Sequence, residues 1–123
     1  MCYYTEMLDK NKELIKEKLE NTAAQMRKGI LEFAILLVIS HERVYASQIL
    51  EVLKKADLIV VEGTLYPLLS RLRSAGFLRS TWQESKSGPP RKYYTLSPVG
   101  IETLDQMKAT WKVLSTSITA LIK

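Results

Sequence analysis

The sequence predicts a mainly α-helical fold with one small β-hairpin (α+β): an N-terminal helix, a buried central helix and two further helices precede the hairpin, and a long helix follows it. Three observations predict it. Leu65, Leu68, Leu69 and Leu72 recur at helical intervals up to Gly76. From Phe77 the period changes to two, with Phe77, Arg79 and Thr81 on one side and Leu78, Ser80 and Trp82 on the other. From Leu104 to Leu121 apolar residues return at spacings of three and four.

The elements follow in chain order. The first residues form an amphipathic helix with Tyr4, Leu8, Ile15 and Leu19 on one side and the charge pairs Glu6 with Lys10 and Lys16 with Glu20 on the other. The run 29–39 is apolar all round and too short to span a bilayer, which predicts a buried central helix. His41, Glu42 and Arg43 interrupt that pattern. A short amphipathic helix then covers 46–55, with Ile49, Leu50 and Leu53 inward and Tyr45 or Ser47 near its start. The link through 57–62 leads to the next helix. Pro67 is expected in that helix's first turn, where a proline lacks only an amide without an intrahelical partner, so the start is placed near Gly63 or Thr64.

The two strands after Gly76 are joined by 84–90, a stretch rich in turn formers, with Lys86 in the loop and Arg91 and Lys92 just beyond it. On the return strand alternation turns one of Tyr93 and Tyr94 inward and leaves the other free for a phosphate. Such a cationic hairpin beside a helix is a wing, and with the preceding helices it makes a winged helix-turn-helix. The final helix begins at the cap Ser97 and first-turn Pro98. Its seam is Leu104, Met107, Trp111, Leu114, Ile118 and Leu121. A helix of about 25 residues is roughly 37 Å long, so the far end of the stripe needs another chain to cover it, while Val99 and Ile101 are expected to pack on the chain's own core. The organisation read from these elements is 1–25 as an N-terminal helix supporting a dimer, 26–96 as the winged helix-turn-helix, and 97–123 as the dimerisation helix.

Charge points to a polyanion. The 123-residue chain carries a formal +5, and between Arg71 and Lys92 six cations (Arg71, Arg73, Arg79, Lys86, Arg91, Lys92) face the single acid Glu84. One histidine, one cysteine, no phosphate-binding glycine loop and no metal-ligand spacing argue against an enzyme, a metal site or a cofactor. Cys2, alone in its type, reads as an incidental thiol. The absence of a signal peptide or membrane span places the protein in the cytoplasm as an expectation.

GTLYPLLSRLRSAGFL followed by GPPRKYYTLSPVGIETL resembles the PadR family of bacterial winged-helix transcriptional regulators, over roughly residues 26–121. The resemblance implies a sequence-specific regulator of double-stranded DNA, acting as a repressor. A two-fold dimer would set two recognition helices about 34 Å apart on an inverted-repeat operator. Thr64, Tyr66 and Arg71 are the candidates near the groove; Lys86, Arg91 and Lys92 are those for the wing; Tyr45 and Ser47 are those at the second helix. The family commonly places Tyr-Gly-Tyr where this chain has Tyr45-Ala46-Ser47, a departure that bears on the last two. In relatives with short C-terminal regions a tryptophan placed like Trp111 stacks on flat aromatic effectors, so the resemblance implies an effector site there, with Met107 and Leu114 lining it; a plain interface anchor is the alternative reading. The rival function is a winged-helix adaptor for other proteins, against which the placement of Arg71, Arg91 and Lys92 argues.

Overall fold

The computed structural model describes residues 2–58 and 60–122, with side chains from residue 5 onward. The expectations resting on Cys2 and Tyr4 therefore lie outside the described side chains. Seven elements follow in order: α1 (Cys2–His41), β1 (Val44–Tyr45), α2 (Ala46–Lys55), α3 (Glu62–Ser74), β2 (Leu78–Ser85), β3 (Gly88–Leu96) and α4 (Pro98–Leu121). The chain divides into two units, Met1–Leu31 and Glu32–Lys123. In the first, α1 carries Met7, Leu8, Leu14, Ile15, Leu19 and Met26 exposed. The helix is continuous through residues 25 and 26.

The second unit holds the core. Ile35, Leu36 and Ile39 of α1, Ile49 and Leu53 of α2, Leu65, Leu69 and Leu72 of α3, Leu78, Tyr94 and Leu104 are all buried in one cluster, a contiguous apolar interior of the kind each helix stripe requires. Val44 and Ala46 complete it between α1 and α2.

Two helix ends use the same device. At the end of α3, Phe77 N–H donates to the Leu72 carbonyl and Gly76 N–H to that of Arg73, both at 3.0 Å, with Gly76 at φ 86°. At the end of α2, Leu58 N–H donates to Leu53 O at 2.8 Å and Asp57 N–H to Lys54 O at 3.0 Å, with Asp57 at φ 62°. Both are Schellman closures, in which a left-handed residue turns the chain so that orphan carbonyls gain donors.

The wing differs from expectation in two respects. It is a three-stranded antiparallel sheet in the order β1-β3-β2, with Val44 opposite Tyr94 and Tyr45 opposite Tyr93. A two-residue strand is too short to leave a period in the sequence. The hairpin is also longer than expected, because β2 runs to Ser85 and β3 starts at Gly88. A register shift between Gln83 and Ser85 admits Pro89 and Pro90 at the outer end of the ribbon.

Pro67 is a correction as well. The helix α3 starts at Glu62 and the proline is its sixth residue, so the bond it forgoes is the one to the Gly63 carbonyl, one turn inside the helix rather than in its first turn.

Candidate nucleic-acid interface

The candidate surface is assembled from the starts of two helices and from the sheet. Burial of Ala46, Ile49 and Leu53 fixes the rotation of α2 and leaves Ser47 exposed. Gln48 holds the start by accepting from the Tyr45 N–H at 3.2 Å, the return half of a capping box. Ala46 stands where the resembling family has glycine; among the described non-glycine residues only Asp57 has positive φ, so an alanine fits this backbone without strain. In α3, burial of Leu65, Leu69 and Leu72 turns Thr64 and Tyr66 outward in the first two turns.

On the sheet, β2–β3 register places Trp82 opposite Lys92 and Ser80 opposite Tyr94. Alternation then puts Leu78, Ser80, Trp82, Lys92 and Tyr94 on the inner face and Arg79, Thr81, Arg91 and Tyr93 on the outer one. Tyr94 is the inward tyrosine, 5% exposed. Burial pushes its phenol above the ordinary value of 10.0; Tyr66 nearby adds to the rise and Arg73 opposes it.

Between these parts lies an open cleft of about 390 Å³, lined by Tyr45, Ala46, Ser47, Glu62, Tyr66, Trp82, Pro90, Arg91, Lys92 and Tyr94. Of the eight residues expected at a DNA surface, Tyr45, Ser47, Tyr66, Arg91 and Lys92 meet there. Thr64 is exposed on α3 and Lys86 at the wing turn, neither among the cleft residues. Arg71 is engaged elsewhere: it forms an ion pair with Glu32 of α1, so its charge is already partnered on the side of α3 that faces α1. Sequence reasoning gave no role to Glu62 or Trp82. The signal for Trp82 was available, since its spacing of four from Leu78 assigns both to the inner face; in the structure the residue stands 67% exposed, with the Lys92 ammonium 5.8 Å from the centre of its ring.

The residues expected at the C-terminal seam divide into two groups. Leu104, 2% exposed, belongs to the chain's own core, and Met107 packs against that core half-buried. Leu104 is therefore corrected from a partner-facing to an internal residue. Val99 and Ile101 are corrected the other way, since both are exposed. The reason lies at Gly100: a Cβ there would stand 2.1 Å from the Phe77 carbonyl oxygen, so the helix backbone itself is docked at position 100. Leu104 lies one turn further along the same face, and residues 99 and 101 are turned away. Ser97 fastens the junction, its Oγ accepting from Gly100 N–H at 3.0 Å and donating to the Gly76 carbonyl, with Ser97 N–H bonded to Phe77 O at 3.0 Å. Further along, Trp111 is 45% exposed and lies 6.2 Å from the Phe33 ring, while Leu114, Ile118 and Leu121 are exposed.

Comparison with known proteins agrees with this architecture. The sequence model of the transcriptional regulator PadR-like family matches residues 35–106. A PadR-like transcription factor from Bacteroides fragilis is 50% identical, with a TM-score of 0.69, over 82% of this chain and 98% of that one. A PadR family transcriptional regulator from Eggerthella lenta is 30% identical, with a TM-score of 0.78, over 88% and 95%. PadR of Bacillus subtilis, solved in complex with operator DNA, shares the fold at 22% identity and a TM-score of 0.59, over 63% of this chain and 46% of that one. No curated protein matches the sequence. The class defined by fold and cleft is thus a winged-helix transcriptional regulator. The chain belongs to the PadR-like family, a family of regulators and not of enzymes. Among the described residues no helix is long and apolar enough to cross a membrane, and no group of three acidic, histidine or cysteine side chains could hold a metal.

Proposed function

We propose that this protein is a homodimeric, ligand-responsive repressor that binds an inverted-repeat operator in double-stranded DNA, in the cytoplasm. The observation that carries the proposal is the cleft in which Tyr45, Ser47 and Tyr66 from two helix starts meet Arg91 and Lys92 from the wing. Residues early in a recognition helix reach base edges, while cations and hydroxyls beside it hold phosphates and fix the register. Tyr66 and Thr64 are assigned to base edges, Ser47, Lys86, Arg91 and Lys92 to the backbone, and Tyr45 to the cleft wall beside Arg91. Arg71, paired with Glu32, orients α3 on α1 in this assignment. The operator complex of the Bacillus subtilis relative supports duplex DNA as the partner.

The dimer rests on the far end of α4. Trp111, Leu114, Ile118 and Leu121 form one exposed stripe, and the second copy of the same helix is the partner such a seam suits. Met7, Leu8, Leu14, Ile15, Leu19 and Met26, exposed in the first unit, offer a second apolar surface to a partner copy. A flat aromatic effector would stack on Trp111, with Met107 and Leu114 beside it, and would shift operator affinity by favouring one separation of the two recognition helices. Fluorescence titration of Trp111 in a Trp82→Phe background with varied planar aromatic compounds tests this part; no response across the set would leave Trp111 as an interface anchor.

Selection of DNA by the purified protein tests the whole reading. An enriched palindrome is expected, and Tyr66→Ala should change base preference more than general affinity. Enrichment of no sequence at all would overturn the assignment.

A further inference from the structure

The outer face of the sheet carries an arrangement that the cleft alone does not explain. Arg43-Val44-Tyr45 and Arg91-Lys92-Tyr93 are two Arg-x-Tyr triplets, and the antiparallel register sets Tyr45 opposite Tyr93. Alternation brings both arginines to the same face as the tyrosines. Each arginine then lies diagonal to the tyrosine of the other strand, a position within reach of long side chains. The geometry is reciprocal: the Arg91 guanidinium lies 4.6 Å from the centre of the Tyr45 ring, and that of Arg43 lies 4.9 Å from the centre of the Tyr93 ring. The two rings meet edge to face at 5.4 Å and 86°. Among the described residues neither arginine takes part in an ion pair.

We infer that this double clasp is a preformed phosphate clamp. In it, Arg43 and Arg91 bind successive backbone phosphates, and Tyr45 and Tyr93 are positioning residues that hold the two guanidiniums through their rings. The inference rests on the DNA-binding reading above and deepens it. Arg43 becomes a DNA contact, and Tyr45 acts by its ring through Arg91 rather than by its hydroxyl on DNA. A guanidinium stacked on a ring keeps its N–H edges free for an anion. Holding it in place beforehand removes rotamer freedom that would otherwise be given up on binding. Tyr45 and Arg91 also line the cleft, so the clamp continues the cationic wall of the cleft outward, across β3 to β1.

The test compares Arg43→Gln, Tyr45→Phe and Tyr45→Leu with the unaltered protein on its selected operator and on a random duplex of equal length, across a salt series. Arg43→Gln, an exposed site, is expected to weaken both duplexes by the same several-fold factor. It should also flatten the dependence of log K on log salt by about 0.9 for each phosphate no longer neutralised, or about 1.8 for a dimer. Tyr45→Phe is expected to bind as the unaltered protein does, whereas Tyr45→Leu should bind both duplexes several-fold more weakly; thermal denaturation of each variant separates this weakening from unfolding. The clamp is overturned if Arg43→Gln leaves the salt slope unchanged, or if Tyr45→Phe binds as weakly as Tyr45→Leu, which would assign the hydroxyl as the contact. Failure of the unaltered protein to bind any duplex would instead overturn the DNA-binding reading on which the clamp rests.

Discussion

Helices α3 and α4 have similar apolar spacing and opposite fates. In α3 the stripe Leu65, Leu69 and Leu72 is wholly buried within the chain. In α4 only Gly100 and Leu104 are, and the stripe from Trp111 to Leu121 is left to solvent. The difference teaches that periodicity declares a face without declaring what covers it. The two helices are nevertheless joined end to start, because Ser97 at the head of α4 is bonded to the Gly76 carbonyl in the turn that ends α3. A short backbone junction thus ties the start of α4 to the end of α3.

The largest expected effect separates the two stripes. Leu69→Ala removes a fully buried side chain and should lower stability by about 3 kcal/mol, the middle of the range for such truncations. Ile118→Ala, on the exposed stripe, should change the chain's own stability by less than about 0.5 kcal/mol. Any further loss should appear only at protein concentrations where a second copy is bound. Urea denaturation over a hundredfold range of concentration measures both. An Ile118→Ala loss as large as that of Leu69→Ala at the lowest concentration would mean that α4 is covered within its own chain.

Next come the residues that join the helices. Gly100→Ala sets a methyl 2.1 Å from a backbone oxygen, which no side-chain rotation relieves. The expected loss is about 2–3 kcal/mol, as for overpacked sites that must shift the backbone. Ser97→Ala removes the cap and the bond to Gly76, and should cost about 1 kcal/mol. Equal melting temperatures for these variants and the unaltered protein would show that α4 is not anchored at this junction.

Much of the architecture was legible in the sequence, and the failures have physical causes. The bounds of α2 followed from Ile49, Leu50 and Leu53, the end of α3 from Gly76, and the wing from the change of period at Phe77. These are local signals, carried by neighbours along the chain. The strand β1 was missed because two residues hold no period, and the fates of Val99, Ile101 and Leu104 were misjudged because Gly100, without a side chain, gives no apolar mark of the face it docks. The cleft brings together Tyr66, Arg91 and Lys92, expected from residue type and order, and Tyr45 and Ser47, expected from the family resemblance. The pairing of Arg71 with Glu32 was not, since it joins residues 39 positions apart whose proximity only tertiary packing sets. The Arg-x-Tyr triplets were visible as text, but their reciprocity needed the Tyr45–Tyr93 register.

The smallest expected effect concerns the ends of α2 and α3, where the same closure is built on different residues. Gly76 adopts φ 86° without a Cβ, while Asp57 holds φ 62° with one. An L-residue in the left-handed region is strained by about 1 kcal/mol, somewhat less for Asp. Against that, glycine gains about 0.4–1 kcal/mol of freedom in the unfolded chain. Asp57→Gly is therefore a near-balance, expected to stabilise by about 0.5 kcal/mol at most, or roughly 2 °C in Tm. Asp57→Val, β-branched and poorly suited to this region, should lose at least about 1 kcal/mol. The contrast between the two substitutions at one site isolates the backbone term. If Asp57→Val melted no lower than Asp57→Gly, the turn after α2 would not be held left-handed in solution, and the likeness between the two helix ends would fail.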